Sequence, residues 1–100
     1  MLIVAGEVRV APDEIEKVRN LAQTMVSETL KEPGCIDYGF SVDLSDPSKV
    51  RIFERWENQA ALDAHFQTRH MAAFNAGLAH IAILGASVKI YEIGAVRDLM

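Results

Sequence analysis

Along the chain the spacing of apolar positions switches between two residues and three to four, and each switch marks a predicted element. Met1 to Val10 is rich in β-branched residues and breaks at Pro12, which reads as a strand. From Asp13 onward Ile15, Val18, Leu21, Ala22, Met25, Val26 and Leu30 recur at intervals of three and four, laying one apolar stripe along a helix. Asp13, Glu14 and Glu16 fall in its first turn, where negative charge meets the positive end of the helix dipole. Pro33-Gly34 ends it.

Cys35 to Asp43 sets Ile36, Tyr38, Phe40 and Val42 against Asp37, Gly39, Ser41 and Asp43, the alternation of a strand with one wet face. Ser45-Asp46-Pro47-Ser48 reads as a turn, and Val50 to Trp56 as a second strand with Val50, Ile52, Glu54 and Trp56 on one side. The two strands should form an antiparallel hairpin. Asn58 can cap a short helix carrying Ala61, Leu62, His65 and Phe66, and Thr68 can cap a further one carrying Met71, Phe74 and Leu78, so this segment is a broken helix. Ile81 to Ile93 is a last strand, apolar on both faces, with Gly85 allowing a bulge.

The order strand, helix, hairpin, helix, strand predicts an α+β fold of the ferredoxin-like type in a single domain over residues 1–100: one antiparallel sheet with its helices on one face. Such a fold leaves the other sheet face bare. Because the first and last strands are apolar on both sides, that face needs cover, and a homodimer in which two sheets pack on each other is the expected solution.

Composition narrows the picture further. Half the residues are hydrophobic and 24% are charged, as in a folded globule. With a net charge of −4 and ten basic residues scattered without a cluster, neither nucleic acid nor an anionic membrane is an expected partner. The N-terminus enters a strand without a basic leader, and no apolar run could cross a bilayer, so the expected location is cytoplasmic. Cys35 is the single cysteine, which excludes an intrachain disulfide and reads as a structural thiol.

The residues Glu32-Pro33-Gly34-Cys35, Tyr38, Glu54-Arg55-Trp56-Glu57, Leu62-Asp63-Ala64-His65 and Thr68-Arg69-His70-Met71 together resemble the antibiotic biosynthesis monooxygenase family, most of all its small quinol monooxygenase branch. The resemblance spans essentially the full length, and its specific part lies between Leu30 and Phe74. It implies a dimeric α+β barrel and a pocket in each protomer between sheet and helices. It also implies oxidation of electron-rich phenols or quinols by molecular oxygen without metal or flavin. Relatives on the same fold bind and degrade haem or isomerise a small sugar derivative, so fold alone does not choose the substrate.

Oxygen reacts poorly with closed-shell molecules, yet a deprotonated hydroquinone donates electrons well enough to reduce it directly. The protein then needs a base, a dry pocket and groups that hold a ring. His65 or His70 is the expected base, against the alternative that each imidazole satisfies a backbone carbonyl or a carboxylate. Glu54, sharing a strand face with Trp56, is expected to orient a pocket His or bind a substrate hydroxyl, the alternative being a salt bridge to Arg51 or Arg9. Tyr38, Trp56, Phe66, Met71 and Phe74 are the candidate walls of a slot for a small aromatic or quinol substrate, or simply core. No metal is expected, since His65 and His70 lack the i to i+4 spacing of a helical site and no third ligand is evident. Gly6-Glu7 stands where haem-degrading relatives carry an Asn, which argues against haem, and the motif block has few basic residues to hold a sugar phosphate. A non-catalytic dimeric ligand-binding protein is the remaining class.

Overall fold

A computed structural model describes residues 1–100. The elements run β1 (Leu2–Val10), a 3-10 turn (Pro12–Glu14), α1 (Ile15–Thr29), β2 (Cys35–Asp43), β3 (Asp46–Trp56), α2 (Gln59–Phe66), α3 (Arg69–Leu78) and β4 (Ile83–Glu92). The strands form one antiparallel sheet in the order β2-β3-β1-β4, so the fold is α+β and ferredoxin-like, as the pattern predicts.

The period-two patterning sets which side of each strand faces the helices. Val4 pairs with Glu54 across β1 and β3, and Tyr38 pairs with Glu54 across β2 and β3, so all three side chains project to one face. On that face Leu2, Val4, Met25, Tyr38, Trp56 and Leu62 form one buried cluster, and Val10, Val18, Val50 and Ile81 form another. Trp56 and Leu62 are sealed completely, at 0% exposure.

The helix break falls where the caps place it. Asn58 Oδ1 accepts from the Ala61 amide at 2.9 Å, and Thr68 Oγ1 accepts from the Met71 amide at 3.2 Å, satisfying backbone donors that begin α2 and α3. Helix α1 stops at Thr29, ahead of Pro33, and the connection closes through Gly34, whose φ of 84° is open to glycine and strained for other residues. A Cβ at Gly34 would also lie 2.5 Å from the Ala61 Cβ, so this connection packs tightly against α2.

The hairpin differs from expectation. The reversal is made by Leu44-Ser45, and β3 already begins at Asp46. Asp43 Oδ1 accepts from the Ser45 amide and hydroxyl, and Asp46 Oδ1 accepts from those of Ser48, so the polar residues that look like a loop instead stiffen strand ends. Asp46 pairs with Asp43 while Val50 pairs with Val42, and this register shift gives Pro47 a place without a β2 partner. A second shift, where Arg9 pairs with Gly85 and Val10 with Ile83, puts the expected irregularity beside Gly85.

The bare sheet face also departs from a purely apolar one. Glu7 lies 3.5 Å from Lys49, Arg51 lies 2.8 Å from Asp43, and Arg55 lies 3.7 Å from Asp37, with Phe53 exposed among them. The uncovered aliphatic surface is concentrated in β4 instead. Val88 and Ile90 pair with Gly6 and Val4, which places them on the helix side, yet they are 43% and 50% exposed. The helices cover the other three strands and stop short of this one.

Candidate functional site

Three elements converge below the helix break. Glu32 stands on the connection after α1, where its amide donates to the Thr29 carbonyl and its carbonyl accepts from the Cys35 amide. His65 lies in the last turn of α2 and His70 in the first turn of α3. Thr68 fastens the corner between them, its hydroxyl donating to the His65 carbonyl at 2.7 Å while it caps α3. The outcome is a single carboxylate oxygen shared by both imidazoles: Glu32 Oε2 is 2.7 Å from His65 Nδ1 and 2.8 Å from His70 Nε2.

A carboxylate oxygen only accepts, so each ring nitrogen facing it carries a hydrogen, a tautomer assignment made from the partner's chemistry. In the neutral rings the basic lone pairs then sit on His65 Nε2 and His70 Nδ1. Their settings differ. His65 is 1% exposed and boxed by aromatic rings, with centroids 4.9 Å away at Trp56, 5.4 Å at Tyr38 and 5.8 Å at Phe66. The His70 side chain retains 16% exposure at the rim.

Glu54 lies across the sheet from Tyr38, buried, and its Oε1 accepts from the Trp56 indole N–H at 2.9 Å. Burial raises its pKa to about 7, the indole hydrogen bond pulls it down, and the charge of Glu32 pushes it up. The salt-bridge alternative does not form, because Arg9 binds Asp46 and Ser48 while Arg51 binds Asp43. Nor is Glu54 the carboxylate that holds the imidazoles. That role falls to Glu32, which sits in the Glu-Pro-Gly-Cys run but, in sequence, lies 33 residues from His65 and 38 from His70. Burial also drives the Tyr38 phenol well above its ordinary range and lifts the Cys35 thiol to about 11, which fits an inert thiol.

Tyr38 and Trp56 are packed into the core, Met71 and Phe74 lie against it partly buried, and Phe66 is 49% exposed. Phe74 stacks on Phe40 with centroids 5.6 Å apart. Two hollows border Phe40. One is a cleft of about 500 Å³ between α1 and the β2–β3 hairpin, lined by Val18, Ala22, Val26, Phe40 and Val50 with Arg19 at its margin. The other, about 50 Å³ and wholly apolar, lies under α3 between Phe40, Phe74 and Leu78. The imidazoles line neither, so the larger cleft and the titratable cluster are separate features.

The i to i+4 rule applies within one continuous helix, whereas the break at Thr68 turns two helix ends toward each other and Glu32 arrives as a third group. The donor atoms of Glu32, His65 and His70 all lie within 4.8 Å of one another.

Residues 1–77 match the family described as antibiotic biosynthesis monooxygenase. A probable quinol monooxygenase of Escherichia coli, YgiN, is 35% identical over an alignment covering 75% of this chain and 82% of that protein. An uncharacterized Synechocystis protein, sll1783, is 38% identical, covering 98% of this chain and 67% of that one. Among solved structures, a putative antibiotic biosynthesis monooxygenase from Deinococcus radiodurans superposes with a TM-score of 0.91 at 27% identity, covering 100% of this chain and 99% of that one.

Proposed function

This chain belongs to the antibiotic biosynthesis monooxygenase family, and from that premise we propose that it oxidises a quinol or related electron-rich phenol with molecular oxygen, without a cofactor, using His70 as the base. The observation that carries this reading is the Glu32 oxygen shared by two imidazoles at 2.7 and 2.8 Å, which fixes both rings and turns a lone pair of each away from the carboxylate. Of the two, His70 is the one a substrate can reach.

In the proposed reaction His70 Nδ1 takes the hydroxyl proton while Glu32 holds Nε2–H in place. The quinolate passes electrons to oxygen, one oxygen atom joins a ring carbon, and the other leaves as water with the transferred proton. For a naphthoquinol the balance is quinol plus O₂ giving hydroxynaphthoquinone plus water, the ring supplying all four electrons. Phe66, Met71 and Phe74 offer apolar surface at the rim, and Tyr38 and Trp56 hold the His65 ring behind it. Glu54 acts through Trp56 as a support for that wall.

The test is oxygen uptake by chelator-treated protein with reduced naphthoquinols, read against the autoxidation blank. The reading expects a clear excess, and His70→Ala should lower it by about 10²–10⁴, the usual range for a general base. No excess with any quinol or polyphenol would end it. A second reading, a binding protein without turnover, is favoured by the 500 Å³ cleft lying away from the imidazoles. It expects quinol binding that His70→Ala leaves unchanged and no oxygen uptake.

We further propose that the protein is a homodimer, with β4 and the bare sheet face as the contact. Support comes from Phe53, Val88, Ile90 and Tyr91, all exposed in the single chain at 43–50%. Light scattering during gel filtration distinguishes one chain from two.

A further inference from the structure

We propose that Glu32, His65 and His70 form a binding site for a first-row divalent cation of the zinc type, with two imidazoles and one carboxylate as ligands. The donor set is of a kind that holds Zn²⁺ in hydrolases and Fe²⁺ in oxygenases, leaving at least one position open. Here the donors are His65 Nδ1, His70 Nε2 and Glu32 Oε2, brought within 4.8 Å of one another from three different elements.

The arrangement holds a cation after a limited closure of the three donors. Metal–ligand bonds of roughly 2.0–2.1 Å place neighbouring donors roughly 2.9–3.4 Å apart in a tetrahedral or octahedral shell. Glu32 Oε2 is 2.7 Å from one nitrogen and 2.8 Å from the other, so it must withdraw by a few tenths of an ångström to admit the ion. Glu32 can do so because it stands on a connection outside any helix, with 11% of its side chain exposed. His65 cannot swing away, being held by Trp56, Tyr38 and Phe66, and Thr68 ties the His65 carbonyl to the start of α3 where His70 sits. His65 is therefore preorganised, and the remaining closure of the set from its span of up to 4.8 Å falls to the partly exposed His70 and to Glu32.

Without a cation, the hydrogens on the two ring nitrogens satisfy Glu32, so its inner oxygen is not left without a hydrogen-bond partner. With one, each ring turns a lone pair inward, its remaining hydrogen moves to the opposite nitrogen, and any second proton is released. The open positions face the rim where His70 is exposed, and water fills them. The cation binds whether or not the protein oxidises quinols. If it does, the ion occupies the same groups as the base, so loading with Zn²⁺ stops turnover.

The experiment uses untagged, chelator-treated protein titrated with Zn²⁺ by calorimetry in two buffers of different ionisation enthalpy, and with Co²⁺ by its visible d–d absorption. One equivalent per chain is expected, with structured Co²⁺ bands and Zn²⁺ binding heats that differ between the buffers. His70→Ala and Glu32→Gln should weaken binding by at least roughly 100-fold, beyond the 10–100-fold typical of losing only an outer-shell partner. His80→Ala, an exposed histidine outside the cluster, should leave it unchanged. Circular dichroism confirms that each variant is folded, and His70 lies at a partly exposed helix start where its removal spares the core. Absence of stoichiometric binding, binding of native strength in both ligand variants, or loss in His80→Ala would each overturn the proposal. Because the readout is binding, it stands or falls apart from oxygen uptake.

Discussion

The half of the molecule built from β2, β3, α2 and α3 and the half built around β4 use similar residues to opposite ends. In the first, Trp56, Leu62 and His65 are sealed to 0–1% exposure, and two carboxylates are drawn inside, each hydrogen-bonded. In the second, Ile83, Leu84, Val88, Ile90 and Tyr91 are as apolar, yet all ten residues of β4 are exposed. One chain thus supplies every group of the Glu32, His65 and His70 cluster, whereas it leaves the β4 side uncovered.

The largest expected effect sharpens this contrast. Trp56→Ala should cost about 3–5 kcal/mol, because it opens a cavity and leaves Glu54 without its indole donor. Urea denaturation measures it, and a loss near that of a surface substitution would mean that the dense half is not the stabilising one.

Next comes Glu54→Gln, which removes a buried acid while keeping an acceptor for the indole. The folded protein holds the Glu54 proton up to about pH 7 against an ordinary value of 4.5, so it binds more protons than the unfolded chain between those limits. Stability therefore falls as pH rises through that window and is level above it. The variant should gain about 1–3 kcal/mol at pH 8 and nothing at pH 4, compared by denaturation at the two pH values. A gain at both would place the cause elsewhere.

Thr68→Ala should cost about 1 kcal/mol through the lost cap and, by loosening the corner between His65 and His70, weaken cation binding as well. Calorimetric unfolding and the Co²⁺ spectrum read the two effects separately. The smallest effect tests the open side: Val88→Ser should change the stability of the lone chain by less than about 0.5 kcal/mol at high dilution. A loss comparable to a core substitution would break the comparison by showing that β4 is covered even there.

Much of the dense half is legible in the chain. Alternation in Cys35–Asp43 and in Val50–Trp56 marks both strands and puts Tyr38 with Phe40 and Glu54 with Trp56, and the polar caps Asn58 and Thr68 mark the helix break to the residue. Local chemistry suffices there. The hairpin tip is harder, since Asp43 and Asp46 make the same side-chain-to-backbone bonds at a strand end as in a loop, and their residue types cannot tell the two apart. Glu32 is harder again. Its partners lie 33 and 38 residues onward, and only the Gly34 turn, packed on Ala61 of α2, brings it under the imidazoles. A lone acid just ahead of a Pro-Gly turn is the one local signal, and it carries no information about distance.

A strand paired on one edge and uncovered on both faces has a kinetic signature. Of the four strands, β4 has the least to lose on opening, so its amides should exchange with deuterium before those of β1 and β3. If a second chain closes over it, that exchange slows as the protein is concentrated, and the rate at β4 becomes a gauge of association.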